Sequence, residues 1–298
     1  MPNAHSAADP PTDAAAIAVE ALSFAYGEHV AVHEVSFRVA PGEILGFLGP
    51  NGAGKSTTIK MLTGQLQPRS GSIRILGRDG VRERAAIQPR IGVSFEEKNL
   101  YDEMSAAENL RFHAKLFGIR SLDVEALLRR VALADRMNDR VSAYSKGMRQ
   151  RLMVARSLVN RPDVLFLDEP TSGLDPVSSK AIRALVREEA ERGAAVVLTT
   201  HDMNEADKLS SRVAFINQGR ILALDTPENL KRTHGRRAVR VRSQQGEEVV
   251  ETVIPLDRDD ASKQVEQAVA AGGLLSVHTD EATLEDIFIE FAGRGLTE

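Results

Sequence analysis

An α/β fold built around a mostly parallel sheet is what this sequence predicts, and three observations carry the prediction. Short apolar runs, ILGFL at 44–48, VLFL at 164–167 and AVVLTT at 195–200, alternate with segments of helical period. Such runs are the mark of strands covered by helices on both faces. A glycine-rich loop, GPNGAGKST at 49–57, joins the first run to a helical segment. From about 100 to 160 the pattern turns amphipathic and helical, so a helical insert interrupts the alternation.

The elements follow in order. Residues 1–15 are rich in Ala, Pro, Asp and Ser, without a basic start or an apolar stretch of signal-peptide length, and read as a disordered tail. Residues 17–48 are strand-like: VEALSFAY, VSFRV, the turn Ala40-Pro41-Gly42-Glu43, then ILGFL. They predict an antiparallel β subdomain leading into the sheet. The helix after the glycine loop ends at Gly64, and SIRILG (72–77) and RIGVSF (90–95) are further short strands.

In the insert, Ser105 and Glu108 have capping-box spacing ahead of Leu110, Ala114 and Phe117. Val124, Leu127, Leu128 and Val131 mark a second helix, and a charged helix spans about 178–192. Beyond KRTHGRR (231–237), VRV, EVVETVI and LLSV read as strands. DDASKQVEQAVAA and LEDIFIEFAG read as helices, the latter with Thr283 and Asp286 at capping spacing. The expected organisation is a tail at 1–15, a main domain at 16–235 and a small α/β appendage at 236–298.

Composition narrows the function. The 298 residues are 42% apolar and 27% charged with net charge −4, an ordinary globular balance without global attraction to nucleic acid. With 0 Cys there are no disulfides or thiolate metal sites. No apolar run approaches the roughly 20 residues that span a bilayer, so a membrane role comes through a partner. Six Lys or Arg between Lys231 and Arg242 read as a solvated boundary, with lipid headgroups or a partner as the alternative.

The glycine loop, Gly49-Pro50-Asn51-Gly52-Ala53-Gly54-Lys55-Ser56, fits G-x-x-x-x-G-K-[ST]. A chance match in this length is on the order of one in a hundred. Glycines let backbone N–H groups converge on phosphate oxygens, and the following helix start adds its dipole. Lys55 is expected on the β- and γ-phosphates and the Ser56 hydroxyl on Mg²⁺. Asp168 ends an apolar run, at the sheet edge that faces the phosphates, where it can hold the Mg²⁺ shell. Glu169, one residue on, is aimed at the attacking water. His201 directly follows AVVLTT and is expected on the γ-phosphate.

Together GPNGAGKST, YSKGMRQR, LFLDEP, SGLD and TTHD resemble, as an ordered set over about 15–235, the nucleotide-binding subunit of ATP-binding-cassette transporters. LTGQLQPRSGSIRILG, SKGMRQR and the C-terminal appendage resemble the export-type branch for drugs, antibiotics, polysaccharides or lipids. The resemblance implies a P-loop cassette binding ATP and Mg²⁺ along Gly49–Thr57, with Tyr26 stacked on adenine. It also implies a head-to-tail dimer in which Ser145, Lys146 and Gly147 face the nucleotide of the opposite subunit and Asp175 lies at the seam. The further partner is an integral membrane permease, which puts the chain at the cytoplasmic face of the membrane.

Two positions depart from the family pattern. The usual Leu-Ser-Gly-Gly-Gln signature reads Tyr144-Ser145-Lys146-Gly147-Met148, which keeps Ser145 and Gly147. Where a Gln usually senses Mg²⁺ and the membrane partner, VSFEEKNLY puts Glu96, or Glu97 if the register slips by one. Two rival functions would use the same motifs. A soluble cassette ATPase usually carries two cassettes or a long coiled coil, and this chain has one P-loop and no sustained heptads. A non-catalytic ATP sensor is disfavoured by the intact Lys55, Asp168, Glu169 and His201.

Overall fold

The computed structural model describes residues 14–95, 100–235, 238–245, 248–256, 258, 260–280 and 282–294. The chain divides into two compact units at Asp225/Thr226. In chain order the first unit holds β1 (Ile17–Tyr26), β2 (His29–Val39), β3 (Ile44–Leu48), α1 (Lys55–Leu62), β4 (Ser70–Ile75), β5 (Arg78–Asp79) and α2 (Arg84–Ile87). There follow β6 (Ile91–Ser94), α3 (Ala106–Leu116), α4 (Val124–Arg130), α5 (Lys146–Ser157), β7 (Val164–Asp168) and α6 (Pro176–Glu191). The unit closes with β8 (Ala195–Thr200), α7 (Met203–Leu209), β9 (Arg212–Asn217) and β10 (Arg220–Asp225).

Two sheets form. One is antiparallel, in the order β2-β1-β4-β5, and the other runs β10-β9-β3-β8-β7-β6. In the second, β9, β3, β8, β7 and β6 are parallel and only β10 runs antiparallel. The strand VLFLD is buried at every position, as expected where both faces are covered. Its side chains alternate between two cores. Phe166 joins Phe37, Phe47 and Ile59 between the sheets and α1, with the Phe37 and Phe47 rings edge to face at 5.0 Å. Leu165 and Leu167 join Leu110, Leu128, Leu152 and Ile182 from the helices on the opposite face.

Helix boundaries follow local chemistry. Ser105 and Glu108 form the anticipated capping box. Gly64 follows the C-cap of α1 with φ +74, a left-handed turn suited to glycine. Helix α6 begins at Pro176, two residues before the expected 178, because Asp175 caps it and proline is preset for the first helical turn.

The second unit holds α8 (Pro227–His234), β11 (Ala238–Gln245), β12 (Glu248–Pro255), α9 (Ala261–Ala270), β13 (Leu274–Asp280) and α10 (Leu284–Arg294). Its antiparallel sheet runs β12-β11-β13, with Val239, Val241 and Ile254 packed against Ala261. The division falls ahead of the anticipated residue 236 because α8 groups with this unit, His234 meeting the Phe291 ring edge to face at 4.8 Å.

Candidate functional site

Strands β3, β7 and β8 are neighbours in one parallel sheet, so their carboxyl ends open on one edge. The glycine loop follows β3 there, Asp168 ends β7, and His201 follows β8. One sheet edge thus gathers four of the sequence-predicted groups: the loop, Asp168, Glu169 and His201.

The loop is held tightly from behind. Gly54 has φ +104, and a Cβ on it would come within 2.6 Å of the Ala31 carbonyl oxygen. A Cβ on Gly49 would lie 2.1 Å from the Ile216 carbonyl oxygen. The Gly219 N–H, from the β9–β10 turn, donates to the Ala53 carbonyl at 3.0 Å. Lys55 is 6% exposed, and its Nζ donates to the carbonyls of Gly49 (2.6 Å) and Pro50 (3.1 Å). A buried ammonium needs such acceptors, and these belong to the loop itself. Pro50, Asn51 and Gly52 are exposed at the tip, Ala53 is buried, and Ser56 and Thr57 are half-buried at the start of α1.

The Ser56 hydroxyl donates to Asp168 Oδ1 at 3.2 Å, and the Thr199 hydroxyl donates to the same oxygen. Two hard oxygens, Ser56 Oγ and Asp168, therefore converge beside the loop, the donor type Mg²⁺ takes when phosphates and waters complete its shell. Among the described residues no cluster of three or more His, Asp or Glu could hold a metal unaided. The donors present fit an ion that arrives with phosphate.

Glu169 stands on a left-handed backbone, φ +49, uncommon for a side chain of its size. Its N–H donates to the Thr199 carbonyl at 3.2 Å and to the Thr199 hydroxyl at 3.1 Å, which fixes the turn. Glu169 Oε1 lies 2.9 Å from His201 Nδ1, with the Glu169 side chain 12% exposed and that of His201 59%. A shielded carboxylate beside a solvent-facing imidazole is a pair equipped to move a proton at the sheet edge.

The remaining expectations stand apart. Tyr26, at the end of β1, is 49% exposed and lies edge to face with Phe24 at 4.9 Å. Ser145 caps α5, its Oγ accepting from the Met148 N–H at 3.2 Å. Lys146 lies over Gly173, and a Cβ on Gly147 would sit 3.2 Å from Leu174 Cδ2. Asp175 caps α6, accepting from the N–H groups of Val177 and Ser178 at 3.0 Å each. Hydrogen bonds from Ser178 and Val177 hold its carboxyl below the usual range. Glu96 and Glu97 lie outside the described residues.

The ABC transporter family profile matches residues 32–172. A fluoroquinolones export ATP-binding protein of Mycobacterium tuberculosis is 43% identical over 284 residues, which covers 94% of this chain and 94% of that protein. This chain belongs to the ABC transporter family of ATP-binding proteins. The Nod factor export ATP-binding protein I of Paraburkholderia xenovorans is 35% identical over 311 residues, covering 95% of this chain and 99% of its own length. A solved structure described as the ATP binding subunit of an ABC transporter matches with TM-score 0.67 at 31% identity, covering 72% of this chain and 92% of its own.

Within this ABC ATP-binding chain, three supporting residues escaped the sequence reading. Thr199 binds both Asp168 and the Glu169 N–H, Gln150 donates from α5 to the Glu169 carbonyl at 3.1 Å, and Gly219 braces the loop. Thr199 stood inside TTHD, where the strand pairing Asp168↔Thr199 is the missing fact.

Proposed function

We propose that this chain is the ATP-binding and ATP-hydrolysing subunit of an ABC export transporter, with its reaction centre at the shared edge of β3, β7 and β8. The observation that carries the reading is the convergence there of the Ser56–Asp168 contact at 3.2 Å and the Glu169–His201 contact at 2.9 Å. Backbone N–H groups of Gly49–Thr57 receive the phosphates, and Lys55 exchanges its two loop carbonyls for phosphate oxygens. Ser56 and Asp168 would hold Mg²⁺, which supplies charge neutralisation on the phosphates when bound. Glu169 takes the proton of the attacking water, and His201 holds that carboxylate in place while facing the γ-phosphate. Tyr26 offers an exposed ring to the adenine.

The cassette acts in a head-to-tail pair, where Ser145, Lys146, Gly147 and Asp175 of each copy meet the nucleotide of the other. ATP bridges the pair, and loss of the γ-phosphate reopens it, a two-state element biased by ligand. The partner is an integral membrane permease. Among the described residues no helix is long and apolar enough to cross a membrane, so the bilayer-spanning path belongs to that partner. It docks in the groove of about 460 Å³ between Leu100–Tyr101 and the Asn109, Phe112, His113 and Leu116 face of α3. Asn109 braces the groove, exchanging hydrogen bonds with both backbone groups of Tyr101 at 2.9 and 3.0 Å. Attachment to that permease holds the chain peripherally at the cytoplasmic face.

The test is ATP turnover by the purified chain with and without Mg²⁺, alongside Lys55→Ala. The reading expects Mg²⁺-dependent phosphate release that Lys55→Ala abolishes. Turnover by Lys55→Ala at the wild-type rate would overturn it.

A further inference from the structure

We propose that a cationic hollow at the end of α3 binds the headgroup of an anionic phospholipid. Arg111, Lys115 and Arg120, all exposed, ring an open hollow of about 570 Å³ whose floor includes Ala114, Ile119 and Leu122. None of the described residues lining it is acidic. The carboxylates nearest in sequence have hydrogen-bond or ion-pair partners of their own, although the Glu108 charge also acts on Arg111. Glu108, one turn before Arg111, accepts from the Ser105 N–H at 2.8 Å in the capping box. Asp123 accepts from the Ala126 N–H at 2.9 Å, and Glu125 pairs with Arg129. Three cations thus face solvent over a partly apolar floor, the lining that an acyl-bearing phosphate fits better than a free inorganic ion does.

Placement favours a lipid as the occupant, and here the argument rests on the proposed function. Helix α3 separates the hollow from the groove assigned to the permease: Asn109, Phe112 and His113 line the groove, while Arg111, Ala114 and Lys115 line the hollow. A helix with its side chains is about 10 Å across, so a membrane protein seated in one brings the bilayer surface close to the other. Leu116, at the last turn of α3 on the lip of the groove, is 67% exposed and offers an apolar tip to the interface. The net charge of −4 gives the chain no general attraction to an anionic surface, so binding has to be local.

The test is cosedimentation of the purified full chain with vesicles of phosphatidylcholine, with and without phosphatidylglycerol, while calorimetry follows ATP affinity in the same samples. The wild type is expected on phosphatidylglycerol vesicles only. The triple variant Arg111→Gln, Lys115→Gln, Arg120→Gln should bind them on the order of 100-fold more weakly. Its ATP affinity should stay unchanged, as should the vesicle binding of the paired-cation control Arg129→Gln. Equal wild-type binding to both vesicle types would overturn the proposal. A triple variant that binds as tightly as wild type would overturn it too, moving the attraction to the Lys231–Arg242 run. Capture of a polyglutamate peptide through these three residues without vesicle binding would assign the hollow to an acidic protein segment, again against the proposal. Vesicle binding through the hollow by a chain that fails to bind ATP would sink the functional reading and leave the headgroup site standing.

Discussion

Glu169 Oε1 lies 2.9 Å from His201 Nδ1, across the ends of two neighbouring parallel strands. The contact joins a carboxylate on a left-handed backbone to an imidazole that is mostly open to solvent. The proposed function gives His201 two roles, holding Glu169 as the base and facing the transferred phosphate. His201→Ala is expected to lower kcat about 100-fold, the lower range for a positioned proton-transfer group, with ATP affinity within a few-fold of wild type. Steady-state turnover and equilibrium ATP binding measured side by side check this, and an unchanged kcat would refute the role.

Gln150 ties α5 to the turn after β7, where the proposed base stands, by donating to the Glu169 carbonyl at 3.1 Å. Losing it frees the turn that aims Glu169. Gln150→Leu is expected to lower kcat about 10-fold without weakening ATP binding, roughly the 1.4 kcal/mol of one net hydrogen bond. Single-turnover kinetics resolve this step from product release.

Glycines 52 and 54 differ in what a side chain would meet. At Gly54 a Cβ combines φ +104 with an approach of 2.6 Å to the Ala31 oxygen, whereas at Gly52 φ is +82 with nothing within 4 Å. Gly54→Ala should therefore cost more than about 2 kcal/mol and Gly52→Ala about 1 kcal/mol, backbone strain alone. Urea unfolding of both variants measures the difference, and equal midpoints would contradict the described packing.

His113 titrates out of its ordinary range. Burial, and then the nearby Arg156 guanidinium, push its pKa down to about 4. Between about 4 and the unperturbed value near 6.5 the unfolded chain binds the extra proton. The contribution to stability is therefore complete above pH 6.5 and is lost as pH falls toward 4. Partial exposure reduces it to on the order of 1 kcal/mol. His113→Phe, which retains an aromatic ring beside Phe117, should show a smaller fall in urea midpoint between pH 7 and pH 5. An identical fall in both proteins would exclude His113 as the source.

The parts of this fold legible in the sequence are those with local physical causes. ILGFL and VLFL are apolar throughout, and AVVLTT as far as Leu198, because both faces are covered, and Ser105 with Glu108 spells out a cap within four residues. The glycine loop is likewise legible because left-handed and crowded positions demand its residue type. Between His201 and Lys231 the sequence left α7, β9, β10 and most of α8 unassigned, although VAFI within β9 is as apolar as the neighbouring ILGFL. Supporting contacts were illegible for a different reason. Thr199 reaches Asp168 across a strand pair, and Gln150 reaches Glu169 from another element, so both depend on topology rather than spacing.

Glu169→Gln tests the central claim most directly, because it keeps the shape of the side chain and removes only its capacity to accept a proton from water. ATP turnover and oligomeric state should be measured with Mg²⁺ present. The account predicts unimpaired ATP binding, turnover slowed by several orders of magnitude, and an ATP-dependent dimer that persists. Turnover at the wild-type rate would show that Glu169 is not the base and would contradict the account.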